Sequence, residues 1–384
     1  MKASDLRVAL FSGNYNYVRD GANQALNRLA EYLLRKGVTL RVYSPTTDTP
    51  AFEPTGELVS VPAVPLPGGR DEYRLALGLP GSIRKDLRAY RPNIVHIAAP
   101  EILGHRAVSW ARRNGIASVA SVHTRFETYA QYYRLGFLEP LMIYLQTRLY
   151  NRVDGVVTPA PMMSDLLRGW GVETPIREWA RGVNHDQFAP ARRSLEWRRS
   201  LGIGDGELVI GFLSRLVLEK GLDVFAETIG ELERRGVPHR VLIVGKGPAH
   251  DWVAERVPNA IFTGFLTGED LGRAVASMDV FLFPSVTETF GNVTLEAMAA
   301  GVPVVAANAT GAGSLVEEGV SGYLIEPRAI ADYADAIERL AADPALRARM
   351  GAAGHQRAQA YHWDRVNQHV VDMYLDVLAR RDAR

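Results

Sequence analysis

The 384-residue sequence contains no cysteine, which excludes a disulfide framework, a cysteine nucleophile and a thiolate zinc finger. It also lacks the common nucleotide-binding loops: there is no G-x-x-x-x-G-K-[ST], and no G-x-G-x-x-G follows a predicted strand. The Asp-x-Asp pair that often holds a metal on a nucleotide diphosphate is absent, as are H-E-x-x-H and G-x-S-x-G. These absences disfavour P-loop hydrolases, dinucleotide oxidoreductases, zinc peptidases and serine hydrolases.

Apolar runs long enough to cross a membrane are also lacking. The stretch 297–314 carries no Asp, Glu, Lys or Arg, but its glycines, proline and asparagine predict a helix, a turn, a buried strand and a loop. The amino terminus, MKASDLRVALFSG, has too short an apolar run for a signal peptide. We therefore expect a cytoplasmic protein that is at most peripheral on the inner face of a membrane.

Length and composition predict an ordinary globular chain with two domains. Apolar residues make up 47% and charged residues 23% of the sequence. The charge is uneven, because residues 1–180 hold 22 Lys and Arg against 16 Asp and Glu, whereas residues 181–384 hold 22 against 27. A basic amino-terminal half suits an anionic membrane surface, although ordinary surface variation explains it equally well. The basic residues are scattered, and no nucleic-acid partner is expected.

Short β-branched runs alternate with helical patterns along the chain, which predicts two doubly wound parallel sheets. The predicted strands lie at 7–11, 39–43, 57–61, 94–97, 118–123, 155–157, 208–213, 240–244, 260–262, 280–283, 303–306 and 323–325. We place the amino-terminal domain at 1–183 and the carboxyl-terminal domain at 194–362, with the joint near 184–193. The chain from 343 onward reads as continuous helix, and the segment 363–384 is expected to pack back on the first domain. Because open parallel sheets bind ligands at the carboxyl ends of their strands, a ligand is expected in a cleft between the two sheets.

Two carboxylates follow the strand predicted at 280–283. Glu288 falls in a loop and Glu296 about one turn inside the next helix, so both can reach a ligand whose vicinal hydroxyls match carboxylate oxygens. The helix opens at Phe290, Gly291 and Asn292, where outward amides and the helix dipole favour an anion. A capped helix with two solvated glutamates is the simpler alternative for either residue alone.

Two cations follow the strand predicted at 208–213, in the run Ser-Arg-Leu-x3-Lys-Gly. Arg215 and Lys220 at a helix start are suited to a diphosphate and would take the place of the missing metal. Solvated loop charges are the alternative. We therefore expect no metal and no cofactor other than a nucleotide-diphosphate co-substrate.

The amino-terminal half supplies two further candidates. Gly21 lies in another glycine-bearing helix start, and His123 lies at the end of the strand predicted at 118–123. An isolated histidine is more often structural, but its place at a carboxyl end favours a functional role.

Together these motifs resemble the retaining glycosyltransferases of family 4, which have the GT-B fold of two Rossmann-like domains facing across a cleft. The resemblance covers nearly the whole chain. It implies that Arg215 and Lys220 hold the donor diphosphate, that Glu296 binds the ribose, and that Glu288 contacts the transferred sugar with help from the backbone of 290–292. Ser214 is a departure, since the family often has glycine there.

The same resemblance implies that His123 lies beside the sugar and that Gly21 lines the donor phosphate and the acceptor side. The Ala-Arg-Gly-Val-Asn run ending at Asn184 also matches, so Asn184 is a candidate acceptor or sugar contact. The segment from His123 to Leu141 is similar to the lipid-glycosylating branch, which includes sulfoquinovosyl-diacylglycerol synthases and GDP-mannose-dependent mannosyltransferases. Arg125 is unusual there and is a candidate sugar or acceptor contact, with a purely local structural role as the alternative.

The aromatic and aliphatic stretch 129–144 is a candidate for contact with a membrane interface, or else an ordinary core helix. The predicted function is transfer of a hexose from a UDP- or GDP-sugar to a hydroxyl of a lipid or glycolipid. The alternatives are a soluble or polysaccharide acceptor, a sugar-nucleotide epimerase of the same fold, and a sugar-binding protein without catalysis.

Overall fold

The chain forms two compact units, one of which is built from two separate segments. The computed structural model describes residues 1–18, 21–66, 70–98, 100–125 and 136–383. The first unit comprises residues 1–181 together with 363–384, and the second comprises 182–362. The joint expected at 184–193 therefore lies inside the second unit.

The first unit contains a parallel sheet in the order β3-β2-β1-β6-β7-β8-β9 and a separate antiparallel pair, β4-β5. Its strands are β1 (Arg7–Phe11), β2 (Thr39–Ser44), β3 (Glu57–Ser60), β4 (Val64–Leu66), β5 (Arg70–Leu75), β6 (Ile94–Ile97), β7 (Ala117–Ser121), β8 (Gly155–Thr158) and β9 (Ile176–Glu178). Its described α-helices are α1 (Gly21–Arg35), α2 (Gly81–Tyr90), α3 (Ile102–Arg113), α4 (Glu139–Tyr150), α5 (Pro161–Gly169) and the carboxyl-terminal α14 (Trp363–Asp382).

The second unit contains a six-stranded parallel sheet in the order β12-β11-β10-β13-β14-β15. Its strands are β10 (Val209–Leu213), β11 (Arg240–Val244), β12 (Ile261–Gly264), β13 (Val280–Phe283), β14 (Val304–Ala307) and β15 (Gly322–Ile325). Its helices are α6 (Leu195–Ser200), α7 (Leu222–Arg234), α8 (His250–Arg256), α9 (Gly268–Ala276), α10 (Asn292–Ala299), α11 (Ala312–Leu315), α12 (Ile330–Ala342) and α13 (Pro344–Ala358).

Burial on both faces of each sheet explains the apolar strands. β6, β8, β13 and β14 are buried at every position, as expected for parallel strands covered by helices. One face of the first sheet is covered partly by α1 and α14, whose apolar residues recur at helical spacing. Val370, Tyr374 and Val377 of α14 are all buried there. Gly155 in β8 lets α14 approach closely, because a Cβ at this glycine would lie 2.5 Å from the sulfur of Met373.

The strand prediction is confirmed, since every predicted strand matches an observed one within two residues at either end. The prediction of a continuous helix from 343 onward is wrong: the chain leaves helical geometry at 359–362, between α13 and α14. There the chain passes from the second unit to the first, and the backbone N–H of Val183 donates to the carbonyl of Tyr361 at 3.0 Å. Within the described residues, no helix combines the length and apolar character needed to cross a bilayer.

Candidate active site

The second sheet has a single point at which its winding direction reverses. From β10 the chain moves outward to β11 and β12, and it then returns to the other side of β10 for β13, β14 and β15. The loops after β10 and β13 therefore diverge at the carboxyl edge of the sheet, where open α/β sheets bind their ligands. The four charged residues predicted for the donor site all follow these two strands.

Lys220 and Glu288 meet across this reversal point. The Lys220 ammonium donates to a carboxylate oxygen of Glu288 at 2.5 Å, although the residues are 68 positions apart in the sequence. Both side chains are mostly buried, at 22% and 20% exposed. The alternative of a solvated loop charge is therefore wrong for Lys220, and the alternative of a solvated glutamate is wrong for Glu288.

Glycine at 221 allows the two loops to approach each other. Gly221 has a left-handed φ of 75°, and a Cβ on it would lie 2.6 Å from the carbonyl oxygen of Pro284. The hydroxyl of Thr287 donates to the carbonyl of Glu219 at 3.1 Å, which ties the loops together a second time. The two loops are thus held together by the close approach at Gly221 and by this hydrogen bond as well as by the ion pair.

Glu296 lies one turn inside α10, and burial raises the pKa of its carboxyl to about 8. Its side chain is half-buried. The helix begins at Asn292 behind Gly291, which adopts a left-handed φ of 92°. In the described part of the chain, no side chain caps this helix start, and the buried Oδ1 of Asn292 has no hydrogen-bond partner. Phe290 is buried against the ring of Tyr361, so only its backbone can serve a ligand.

Arg215 is the most exposed of the four charged candidates, at 48%. It lies 3.7 Å from Glu219, four residues further along the same loop. The turn after β11 packs against this loop, since a Cβ at Gly245 would lie 1.9 Å from the carbonyl oxygen of Ser214. Arg215 is therefore on an anchored loop with its guanidinium near solvent, a position from which it can pair with an anionic ligand.

A third loop, after β14, also contacts Glu288, and sequence reasoning missed it. Thr310 donates its hydroxyl to the carbonyl of Glu288 at 2.6 Å. A Cβ at Gly311 would lie 2.5 Å from the Cβ of Glu288, so only glycine fits there without displacement. The available signal was the loop predicted at the end of the charge-free run 297–314, because this loop follows a strand predicted at 303–306.

In the first unit, His123 lies two residues beyond the end of β7 and belongs to a buried hydrogen-bonded chain. Its Nε2 is 2.8 Å from Ser121 Oγ, and its Nδ1 is 3.2 Å from a guanidinium nitrogen of Arg181. Ser121 Oγ is also 2.8 Å from Nε2 of His96, whose Nδ1 is 2.5 Å from the hydroxyl of Tyr374 on α14.

These contacts fix the tautomer of His123. A guanidinium can only donate, so Nδ1 accepts from Arg181 and Nε2 carries the hydrogen that it donates to Ser121. Burial, and then the charge of Arg181, hold the pKa of His123 well below its usual value. The ring is therefore neutral and firmly oriented, and proton transfer by either nitrogen would require breaking one of these bonds.

The remaining predicted residues are Gly21 and Arg125 of the first unit and Asn184 of the second. Gly21 is the first residue of α1, and Arg125 is half-buried four residues beyond β7. Asn184 is exposed, and its Oδ1 accepts from the backbone N–H groups of Asp186 and Gln187, which gives it a turn-forming role.

Of the stretch 129–144, residues 129–135 lie outside the described residues. Groups of three or more acidic or histidine side chains suited to a metal ion do not occur in the ranges the structure covers.

Comparison with known proteins identifies the family. The model described as Glycosyltransferase Family 4 matches residues 19–187, and that described as Glycosyl transferases group 1 matches residues 207–343. A GDP-mannose-dependent alpha-mannosyltransferase of Corynebacterium glutamicum is 31% identical over 97% of this chain and 90% of its own length. The chain belongs to glycosyltransferase family 4. The sulfoquinovosyl transferase SQD2 of Arabidopsis thaliana is also similar, at 30% identity over 93% of this chain and 71% of its own.

Solved structures agree on the fold of this glycosyltransferase. A sucrose-phosphate synthase from Thermosynechococcus elongatus aligns with a TM-score of 0.80 at 20% identity, covering 98% of this chain and 100% of its own. HepE of Anabaena in complex with UDP aligns with a TM-score of 0.75 at 19% identity, covering 97% and 100%. The predicted α/β GT-B fold and the prediction of a glycosyltransferase enzyme are confirmed.

The half-buried Glu296 gives this glycosyltransferase a measurable pH response. Because its folded-state pKa is raised above 4.5, the associated stability is fully present below that pH and is lost as the pH rises through about 8. Glu296→Gln mimics the protonated form. We expect equal stability near pH 5, and a variant more stable than wild type by on the order of 2 kcal/mol at pH 8.5. Urea unfolding of both proteins at the two pH values measures this difference.

Glu196→Gln is the matched control, because Glu196 is exposed on α6. It should leave the pH dependence unchanged. Equal pH dependence in wild type and Glu296→Gln would mean that Glu296 is ionised in the folded protein.

Proposed function

We propose that this enzyme is a retaining hexosyltransferase that moves a sugar from a nucleotide diphosphate to a hydroxyl group of a lipid or glycolipid. The observation that carries this proposal is the Lys220–Glu288 ion pair at the reversal point of the second sheet. A cation for the diphosphate and a carboxylate for the sugar are thereby held together, and the carboxylate lies in the loop that leads to the helix carrying Glu296. The proposed reaction needs no metal and no cofactor, and the nucleotide sugar is a co-substrate.

Donor binding would exchange the partners of this ion pair. The diphosphate offers Lys220 an anion of higher charge, and the sugar hydroxyls offer Glu288 hydrogen-bond donors. Arg215, near solvent on the same loop as Lys220, would add a second cation. The uncapped amides of the first turn of α10 would face the same anion, where the helix dipole favours negative charge.

The proposed chemistry is front-face substitution with retention. The bond between the anomeric carbon and the donor phosphate oxygen breaks, and the acceptor oxygen bonds to the same face of that carbon. The acceptor proton passes to the departing phosphate oxygen, so no separate base is required. Lys220, Arg215 and the α10 amides would stabilise the negative charge that develops on the diphosphate.

GDP-mannose is the donor to test first, because similar proteins named GDP-mannose-dependent alpha-mannosyltransferases also occur in Mycolicibacterium smegmatis and Mycobacterium tuberculosis, at 31% and 32% identity. A nucleotide at one hundred times its dissociation constant should stabilise the fold by about 2.7 kcal/mol. Thermal unfolding with GDP, UDP or ADP therefore tests the donor site directly. Selective stabilisation by GDP supports a mannosyl donor. Selective stabilisation by UDP supports a gluco-configured or anionic sugar, and Arg125 is then the next residue to mutate. Absence of any shift would contradict the proposed function.

We also propose that α4 rests on an anionic membrane, which would present a lipid acceptor to the enzyme. Phe137, Leu141 and Tyr144 are 76%, 52% and 56% exposed, an unusual density of apolar side chains for one short segment. Arg148 lies one turn beyond Tyr144 and donates to its hydroxyl at 3.2 Å. The pKa of Arg152 is lowered chiefly by burial and also by the nearby charges of Arg112 and Arg148. These three cations therefore lie close together on the first unit.

Leu141→Glu should weaken binding to vesicles containing an anionic phospholipid about tenfold, because it removes one inserted side chain and adds a repelled charge. Co-sedimentation with phosphatidylglycerol vesicles measures the change. Leu77→Glu, at another exposed leucine of the first unit, should leave binding unchanged. Equal binding by wild type and Leu141→Glu would exclude α4 as the contact.

A further inference from the structure

The hydrogen-bonded chain that reaches His123 begins on the carboxyl-terminal helix of the first unit. From Tyr374 on α14 it passes to His96 on β6 and then to Ser121 at the end of β7. Ser121 is bonded in turn to His123. Tyr374, His96 and Ser121 are at most 2% exposed, whereas His123 is half-buried just beyond the carboxyl end of β7. The chain therefore joins the interior of the unit to a residue at the carboxyl edge of its sheet.

Alternation along two strands places this chain on the face that α14 covers. Successive strand side chains point to opposite faces, so His96 shares a face with Ile94, and Ser121 shares one with Val119. Ile94 and Val119 belong to the core cluster that also contains Tyr374. In such an apolar layer a hydrogen-bonded chain adds little net stability, because apolar side chains of similar shape can be almost equally stable. The polar residues are therefore better explained by the orientation that they give His123.

The same helix also supports the His123 ring from a second side. Trp179 packs perpendicular to this ring, with the ring centroids 5.3 Å apart. The indole N–H of Trp179 donates to Oδ1 of Asn367 on α14 at 3.0 Å. Asn367 and Tyr374 are both buried and seven residues apart, which places them on one face of the helix. This helix face therefore supports both the hydrogen-bond partner of His123 and the surface against which its ring packs.

Tyr374 governs the hydrogens of the chain through His96. Burial lowers the pKa of His96 to about 3, so its ring is neutral and carries one hydrogen. The bond to Tyr374 at Nδ1 thereby decides whether Nε2 of His96 donates to Ser121 or accepts from it. Ser121 is also the acceptor for the Nε2–H of His123. Without the Tyr374 hydroxyl, His96 loses the partner that fixes its tautomer, and the Ser121 hydroxyl is no longer held in one orientation.

We propose that Tyr374 is a positioning residue for glycosyl transfer, which acts through His96 and Ser121 to hold the His123 ring in one orientation. The inference rests on the proposed function, with His123 as a contact of the transferred sugar. It gives α14, a helix that carries none of the predicted site residues, a part in the reaction.

Tyr374→Phe removes the hydroxyl group and keeps the ring. Transfer from GDP-mannose to octyl α-D-mannopyranoside should lose about tenfold in kcat, because misplacing a group at the reacting atoms by about 1 Å can cost up to about a hundredfold. The KM for GDP-mannose should not change, since the donor-binding charges of the second unit are untouched.

Tyr90→Phe is the matched control for the loss of a buried hydroxyl. Tyr90 is a buried tyrosine of the same unit, and its hydroxyl donates to the carbonyl of Thr39 at 2.9 Å, at the start of β2 and thus at the opposite edge of the sheet. Both variants should lower the midpoint of thermal unfolding by similar amounts. Only Tyr374→Phe should lower kcat.

A double variant separates positioning from a general structural loss. Ser121→Ala breaks the same chain one bond from His123. If Tyr374 acts through this chain, Tyr374→Phe combined with Ser121→Ala should be no slower than Ser121→Ala alone. Independent structural losses would multiply instead. Multiplied losses, or equal kcat in wild type and Tyr374→Phe, would overturn the positioning role.

Ring ¹⁵N NMR gives a readout that does not depend on turnover. The signals absent from His123→Asn identify the nitrogens of His123. In Tyr374→Phe the Nε2–H signal of His123 should shift, because its bond to Ser121 weakens, whereas Tyr90→Phe should leave it in place. An unchanged His123 signal in Tyr374→Phe would exclude the positioning role. Absence of transfer by wild type, together with the expected shift, would instead count against the proposed function.

Discussion

Lys220→Ala will reduce glycosyl transfer about a thousandfold, which is the upper range for removing one preorganised group that stabilises transition-state charge. The ammonium is mostly buried and lies 2.5 Å from Glu288, so its loss removes a fixed positive charge beside the proposed diphosphate position. It also leaves Glu288 without its cation, and that carboxylate would then oppose the anionic donor. Transfer is measured by release of nucleotide from GDP-mannose with octyl α-D-mannopyranoside as acceptor.

The control for this variant is Lys85→Ala, because Lys85 is an exposed lysine on α2. It should retain full activity. Lys220→Ala should keep a cooperative unfolding transition, since the loops are held by Gly221 and by the Thr287–Glu219 hydrogen bond as well as by the ion pair. Activity within threefold of wild type would contradict the assignment of Lys220 to the donor site.

Asp279→Ala will destabilise the protein by about 3–5 kcal/mol, the usual cost of leaving a buried charge without its partner. The Arg198 side chain is only 1% exposed, and its guanidinium donates to Asp279 at 2.9 Å. The same carboxylate accepts from Arg193 at 2.7 Å and from the backbone N–H of Val209 at 2.8 Å. Asp279 thus joins the amino-terminal ends of β10 and β13, the two strands whose loops carry Lys220 and Glu288.

Urea unfolding measures this loss, and Asp270→Ala provides the comparison. Asp270 pairs with Arg273 on the surface of α9, where such a pair contributes about 0–1 kcal/mol. A loss below 1 kcal/mol in Asp279→Ala would mean that the backbone carbonyls of Ser277, Gly204 and Glu207, to which Arg198 also donates, are enough to hold its charge. Because β10 and β13 would also lose their common anchor, we expect transfer to fall in the variant even under conditions where it remains folded.

Much of the fold is predictable from the sequence because parallel strands buried on both faces read as short β-branched runs. β4, β5 and β9 were missed, and each departs from that pattern. β4 contains Pro65 and β5 is rich in charged residues, whereas β9 has three residues and only one apolar side chain. The break at 359–362 was missed because the segment contains no proline or glycine that would end a helix.

The donor-site candidates could be identified from the sequence because ligand-binding residues of open parallel sheets follow the carboxyl ends of the strands. The contacts between these candidates could not be predicted, since the pairing of Lys220 with Glu288 depends on β10 and β13 being neighbours in the sheet.

The packing of α14 into the first unit has a consequence for synthesis of the chain. The buried face of this helix completes a core begun by strands that emerge from the ribosome more than two hundred residues earlier. Pulse proteolysis of stalled nascent chains would detect the order of folding. The core of the first unit stays incomplete until α14 has been made, whereas every residue of the second unit precedes α14 in the chain.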